Sequence, residues 1–178
     1  MTSKRSGADH GVPDSRSAAD VRRRHTLGKK GEDLAWPLLK KGGFRLPEPA
    51  LPRNHRWGDV LAERGGRLYL ISVKMRNKME RSGDPNHWYK LGAASTCLQD
   101  ARKEEAEHKA KAAWLAISLD RGTYDAYFGT LDDLMANPPP KGRVGTGIPM
   151  GPESTKHYEC LAENEPHSLN YEYLSNLP

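Results

Sequence analysis

The stretch "WGDVLAERGGRLYLISVKM", residues 57–75, constrains this chain more than any other. It reads as two strands joined by a turn at Arg64-Gly65-Gly66, since a Gly-Gly pair between alternating apolar runs is hairpin chemistry. Alternation along residues 68–74 puts Leu68, Leu70, Ser72 and Lys74 on one face, and Tyr69, Ile71 and Val73 on the other. A strand built for burial thus ends in an ammonium. Lys74 can be a surface residue that snorkels, but Asp59 stands 13 residues before Ser72 in a strand-like stretch, where aspartate is a poor strand former. Pairing the strands brings Asp59 and the Ser72/Lys74 pair to the same end of the hairpin, with the register left open.

The rest of the chain reads around this hairpin. Residues 1–25 are polar, lack apolar periodicity and are expected to form a flexible basic arm. A helix is predicted over Leu27 to Lys41, capped by Thr26 and ended by Gly42-Gly43, with Pro37 expected to kink it or divide it in two. Residues 77–90 read as a loop with a short third strand. A second helix is predicted over Leu91 to His108, with Leu91, Ala94, Leu98 and Ala101 on one stripe. "AAWLAISL" (112–119) and "TYDAYFGTL" (123–131) are two further strands about the turn at Asp120-Arg121-Gly122. The order predicts an α/β domain with a mixed sheet over residues 26–136. The triple proline at 138–140 is expected to end the packed part, leaving 137–178 as a Pro/Gly-rich extension with one strand near "KHYECLA".

Composition narrows the function classes. No run is long and apolar enough to span a bilayer, and there is no secretory h-region, so a cytoplasmic protein without a membrane partner is expected. Cys97 and Cys160 lack a CxxC or His-rich companion, which argues against a disulfide scaffold or a zinc site. The net charge of +5 divides unevenly along the chain. Residues 1–25 carry six basic against three acidic side chains, residues 26–136 carry 19 against 15, and the remainder three against five. Positive charge therefore sits in the arm and the body, which suits a polyanion, although solubility explains it equally well.

In the first helix Gly28 and Glu32 lie one turn apart, beside the apolar stripe, where small residues permit close approach to a sheet. Lys29 and Lys30 occupy its first turn, where the macrodipole disfavours them, so they form either a phosphate contact or a solvated basic face. "LGKKGEDLAWPLLKKGGF" and "RNHRWGDVLAERGGRLYLISVKMR" together resemble the PD-(D/E)xK nuclease superfamily. Within it they are similar to the YraN-type endonuclease-like proteins and the archaeal Holliday-junction resolvases. The resemblance covers residues 27 to about 76 and implies a restriction-endonuclease-like core, a mixed β-sheet flanked by helices in the order α-β-β-β-α-β. It further implies a nuclease that uses Mg²⁺ or Mn²⁺ to hydrolyse phosphodiester bonds, with DNA as partner and a homodimer allowed. Asp59 would then be a metal ligand, Glu32 a second acidic contributor and Lys74 the catalytic lysine.

Ser72 departs from the pattern, standing where a carboxylate is expected. A hydroxyl brings no charge, and losing a unit charge about 4 Å from a cation forfeits on the order of several kcal/mol of gross attraction at an effective dielectric near 20. Glu80 shares the parity of Ser72, but eight extended residues carry it roughly 26 Å away. An acid from the second helix is the better substitute: Glu105 extends the stripe 98, 101, 105 and is expected to face inward as a metal ligand, with Glu104 and Gln99 on its flanks. Arg53, Arg56, Arg76 and Lys78, with Lys29 and Lys30, would grip phosphates. Trp57 and the "HWY" at 87–89 read as base-stacking groups or, equally, as core and loop anchors. The alternatives to a nuclease are a nuclease-like module that binds nucleic acid or a protein without catalysis, and a plain interaction domain.

Overall fold

The computed structural model describes residues 18–47, 57–80, 82–92, 96–136 and 147–168, with side chains from residue 28 onward. Helix α1 (Ala18–Lys41) begins nine residues before the expected Leu27, so its first turns occupy part of the stretch expected as an arm. Pro37 does not divide it. The ring removes one backbone bond, but Ala35, Leu38 and Leu39 on either side are buried against the sheet, and that packing holds the helix together. The end is a Schellman motif: Gly43 takes φ +79°, its N–H donates to the Lys40 carbonyl, and the Phe44 N–H donates to the Leu39 carbonyl.

Strands β1 (Val60–Arg64) and β2 (Arg67–Asn77) form the predicted hairpin. Gly65 and Gly66 both have positive φ, the signature of a two-residue type I′ turn, and this fixes the register with Val60 opposite Ile71. The short β3 (Trp88–Lys90) pairs with β6 (Gly147–Pro149) in a separate two-stranded sheet. Helix α2 (Cys97–His108) starts six residues later than expected and leads into β4 (Lys111–Leu119). Then follow β5 (Thr123–Thr130), α3 (Leu131–Ala136), α4 (Pro152–Thr155) and β7 (Glu159–Pro166).

The main sheet runs β1-β2-β4-β5-β7, with β2 and β4 parallel and every other pair antiparallel. This is the mixed α/β sheet, in the α-β-β-β-α-β order of the sequence reading. Its two faces carry separate cores. On one, α1 packs against Ile71, Val73 and Met75 of β2 and Leu115 and Ile117 of β4. On the other, α2 and α3 cover Leu70, Trp114 and Ala116. Burial on both faces explains why β4 is apolar almost without interruption. The packed part does not end at the triple proline: β7 pairs with β5, and Leu161 and Ala162 are buried in the α1-side core. No helix among the described residues is long and apolar enough to cross a membrane.

Candidate active site at the open end of the hairpin

The predicted face assignment holds, with Leu70, Ser72 and Lys74 on the α2 side of β2. Gly58 sets the chain up for Asp59. A Cβ at Gly58 would lie 2.3 Å from Leu70 Cδ1, so only glycine lets the backbone pass over Leu70 and enter β1. The Asp59 N–H donates to the Ile71 carbonyl at 2.9 Å, just beyond the first residue of β1. Its carboxylate takes over where the strand stops: Oδ2 accepts the Val73 N–H at 2.6 Å and the Ser72 hydroxyl at 3.4 Å. Lys74 Nζ lies 4.0 Å from the same oxygen.

Burial dominates the electrostatics here. Ser72 is fully buried, and the Lys74 side chain retains 19% of its exposure against 32% for Asp59. Burial pushes the Lys74 ammonium below the usual lysine range, and Arg76 pushes the same way. Asp59, Cys97 and Glu32 pull it back up without cancelling the shift. Glu32, exposed on α1, is the weakest of these influences. Close approach of α1 to β2 comes from Gly31, not Gly28: a Cβ at Gly31 would lie 3.1 Å from Met75 Cβ, whereas one at Gly28 would meet nothing within 4 Å.

Other predicted residues fall elsewhere. Glu105 is not part of this centre. Its Oε1 accepts the Ala112 N–H at 2.8 Å and its Oε2 holds Arg102 at 2.6 Å. Ala112 pairs with Leu70, four residues before Lys74, which places Glu105 on the order of 13 Å away along the sheet. The reason is the later helix start. The buried stripe of α2 is Cys97, Ala101 and Glu104, which keeps Ala101 of the expected stripe but has Cys97 and Glu104 in place of Leu98 and Glu105. Glu104, turned inward, faces His108 at 3.4 Å. Lys78 is ion-paired with Asp125 at 3.1 Å and Asp120 at 3.9 Å, so its charge is already compensated. Arg76 is exposed and within electrostatic reach of Lys74, Lys29 is exposed and Lys30 half-buried; Arg53 and Arg56 lie outside the described residues. Trp57 is buried in the α2-side core, and in the "HWY" stretch Tyr89 is fully buried.

Sequence reasoning missed Cys97. This buried thiol sits at the first turn of α2, close enough to affect Lys74; burial raises its pKa and Lys74 lowers it. Its only sequence signal is its place four residues before Ala101 on the buried stripe.

Among the described residues, no group of three or more His, Cys, Asp or Glu side chains is arranged to hold a metal ion. The carboxylate that the geometry places at this end is that of Asp59. Hard oxygens of this kind suit Mg²⁺ or Mn²⁺, which are commonly bound by one or two carboxylates together with substrate phosphate and water. One carboxylate does not cage a cation and leaves its remaining positions to water, phosphate or a further acid.

Solved structures similar to this chain include that of Hjc from Archaeoglobus fulgidus, a Holliday junction resolvase of an archaeal hyperthermophile. It matches at 20% identity and a TM-score of 0.47, over 76% of this chain and 97% of that one. No protein-family description and no curated protein matches the chain at a significant level.

Proposed function

We propose that this protein is a nuclease that hydrolyses phosphodiester bonds in DNA with the help of Mg²⁺ or Mn²⁺. The observation that carries the reading is the meeting of Asp59, Ser72 and a largely buried Lys74 at one carboxylate oxygen, with Glu32 in electrostatic range. Asp59 and Glu32 would hold the cation, which supplies charge neutralisation on the phosphoryl oxygens and acidifies the attacking water. The backbone N–H of Val73 orients Asp59 and keeps one of its oxygens fixed. Lys74 meets the phosphate as a compact charge or, with its pKa depressed by burial, takes the proton from water as a base. The Ser72 hydroxyl orients the Asp59 carboxylate and adds no charge. Lys29, Lys30 and Arg76, with Arg53 and Arg56 by sequence position, are the groups for phosphates on either side of the cleaved bond.

A second reading has its own support. Ser72 is fully buried and no three-donor cluster exists among the described residues, which favours a module that binds nucleic acid without cutting it. The two separate on a titration of Mg²⁺ and Mn²⁺ against labelled duplex and branched DNA. Cleavage that saturates with the cation supports the nuclease. Binding that is indifferent to the cation, with no product at any concentration, supports the silent module.

A further inference from the structure

At the turn end of the β1–β2 hairpin, opposite the candidate active site, the surface forms a broad, open cleft of about 470 Å³ between the start of β2, the end of α2 and the start of β4. Its lining includes Arg67, Arg102, Lys109 and Lys111, with Glu105 as the acidic member. Asp132 lies alongside, bonded to Arg102 at 2.8 Å and to Lys111 at 2.5 Å. Four cations against two carboxylates leave a surplus of two positive charges. Arg67 and Lys109 carry that surplus, since both are exposed and neither forms an ion pair among the described residues. A helix C-terminus attracts cations by its dipole, which accounts for Lys109. It does not account for Arg67, which comes from the hairpin turn, nor for two further cations braced by one aspartate.

We infer that this cleft binds the phosphate backbone of a nucleic-acid strand, as a second contact separate from the catalytic end. Arg102 and Lys111 are held in place by Asp132, and Arg67 and Lys109 have their donors available for phosphate oxygens. Arg67 and Lys74 stand seven residues apart on β2, about 23 Å along the strand, so the cleft and the catalytic end are separate contacts. The inference rests on the nuclease reading for its ligand, while its test does not depend on cleavage.

The test is fluorescence anisotropy of a labelled 20-base-pair duplex with Asp59→Asn protein, with and without Arg67→Glu/Lys109→Glu, from 50 to 300 mM salt. The cleft variant is expected to bind at least tenfold more weakly at the lowest salt. Its slope of log affinity against log salt should be shallower by about two, one unit per lost phosphate contact. An Arg67→Gln/Lys109→Gln variant should show the same slope change with a smaller loss of affinity, and unchanged circular dichroism establishes the fold. Duplex affinity and slope equal to the parent would overturn the inference. So would calorimetry in which inorganic phosphate binds only when the cleft is intact while duplex binding does not change, since the cleft would then take a small anion. If the double variants of otherwise unaltered protein still cut and bind like the parent, only the cleft inference falls. If the cleft effect appears and no cation yields cleavage, only the catalytic reading falls.

Discussion

At the scale of single residues the account depends on what one carboxylate oxygen does. Asp59 serves both the fold and the proposed chemistry, and the two roles separate by substitution. Asp59→Ala leaves the buried Val73 N–H without an acceptor, so urea unfolding should show a loss of about 1–3 kcal/mol. Asp59→Asn keeps an acceptor and should lose less stability, while cleavage falls as far as in the alanine variant. Lys74 gives a pH signature. Its pKa is lowered in the folded protein and ordinary in the unfolded chain, so between the two the unfolded state binds more protons and stability rises with pH. The penalty for burying the ammonium is complete below the folded pKa and vanishes as pH approaches 10.5. Lys74→Met should therefore be flatter than the parent across that window when stability is followed by urea denaturation at successive pH values. Tyr89 and Tyr158, both pushed up to about 12 by burial, contribute the opposite slope above pH 10 in both proteins and cancel in the comparison. The proximity of Asp59, Ser72 and Lys74 was legible because two glycines allow only a tight turn. What the sequence could not supply was the positive φ at both, which sets the register.

At the scale of elements, the hairpin was readable and the helix phases were not. The register of β1 and β2 had to come from the structure, but their pairing follows from local chemistry, a Gly-Gly turn and alternation. The start of α2 does not. Its N-cap residue, Thr96, makes no side-chain capping bond, so nothing in the local sequence announced Cys97 as the first helical residue. Six residues of error at the start rotated the inferred stripe and brought Glu105 into a site that it does not reach. Glycine positions carry the element-level prediction. Gly58→Ala places a methyl group 2.3 Å from Leu70 Cδ1, and Leu70 is itself fully buried. The variant is expected to lose about 1–3 kcal/mol through overpacking. It should also lose cleavage, because the entry of β1 that presents Asp59 must shift. A Gly58→Ala protein with the parent's urea midpoint would show that the chain does not need this close passage.

At the scale of the whole molecule, the sheet is assembled from distant parts. Strand β7 closes the edge beside β5 after some thirty intervening residues, and a pairing of that range leaves no local signal beyond an apolar dipeptide, Leu161-Ala162. The Arg64 guanidinium on β1 reaches the Glu159 carboxylate on β7 in a two-bond pair at 2.6 and 2.7 Å, over the Phe44 ring, linking first and last strands across one face. A chain cut after residue 136 is thus expected to unfold at a lower urea concentration, with near-ultraviolet circular dichroism reporting loosened aromatic packing around Phe128. Retention of the parent's midpoint would make the last strand dispensable.

The most direct test of the central claim is the single-turnover cleavage rate of labelled duplex and four-way DNA in Mn²⁺, for the parent, Asp59→Asn and Lys74→Met, with affinity measured in parallel. The account predicts cation-dependent cleavage by the parent, a fall of about 10²–10⁴-fold in each variant, and affinities that stay within a few-fold of the parent. Cleavage by either variant at the parental rate would contradict it.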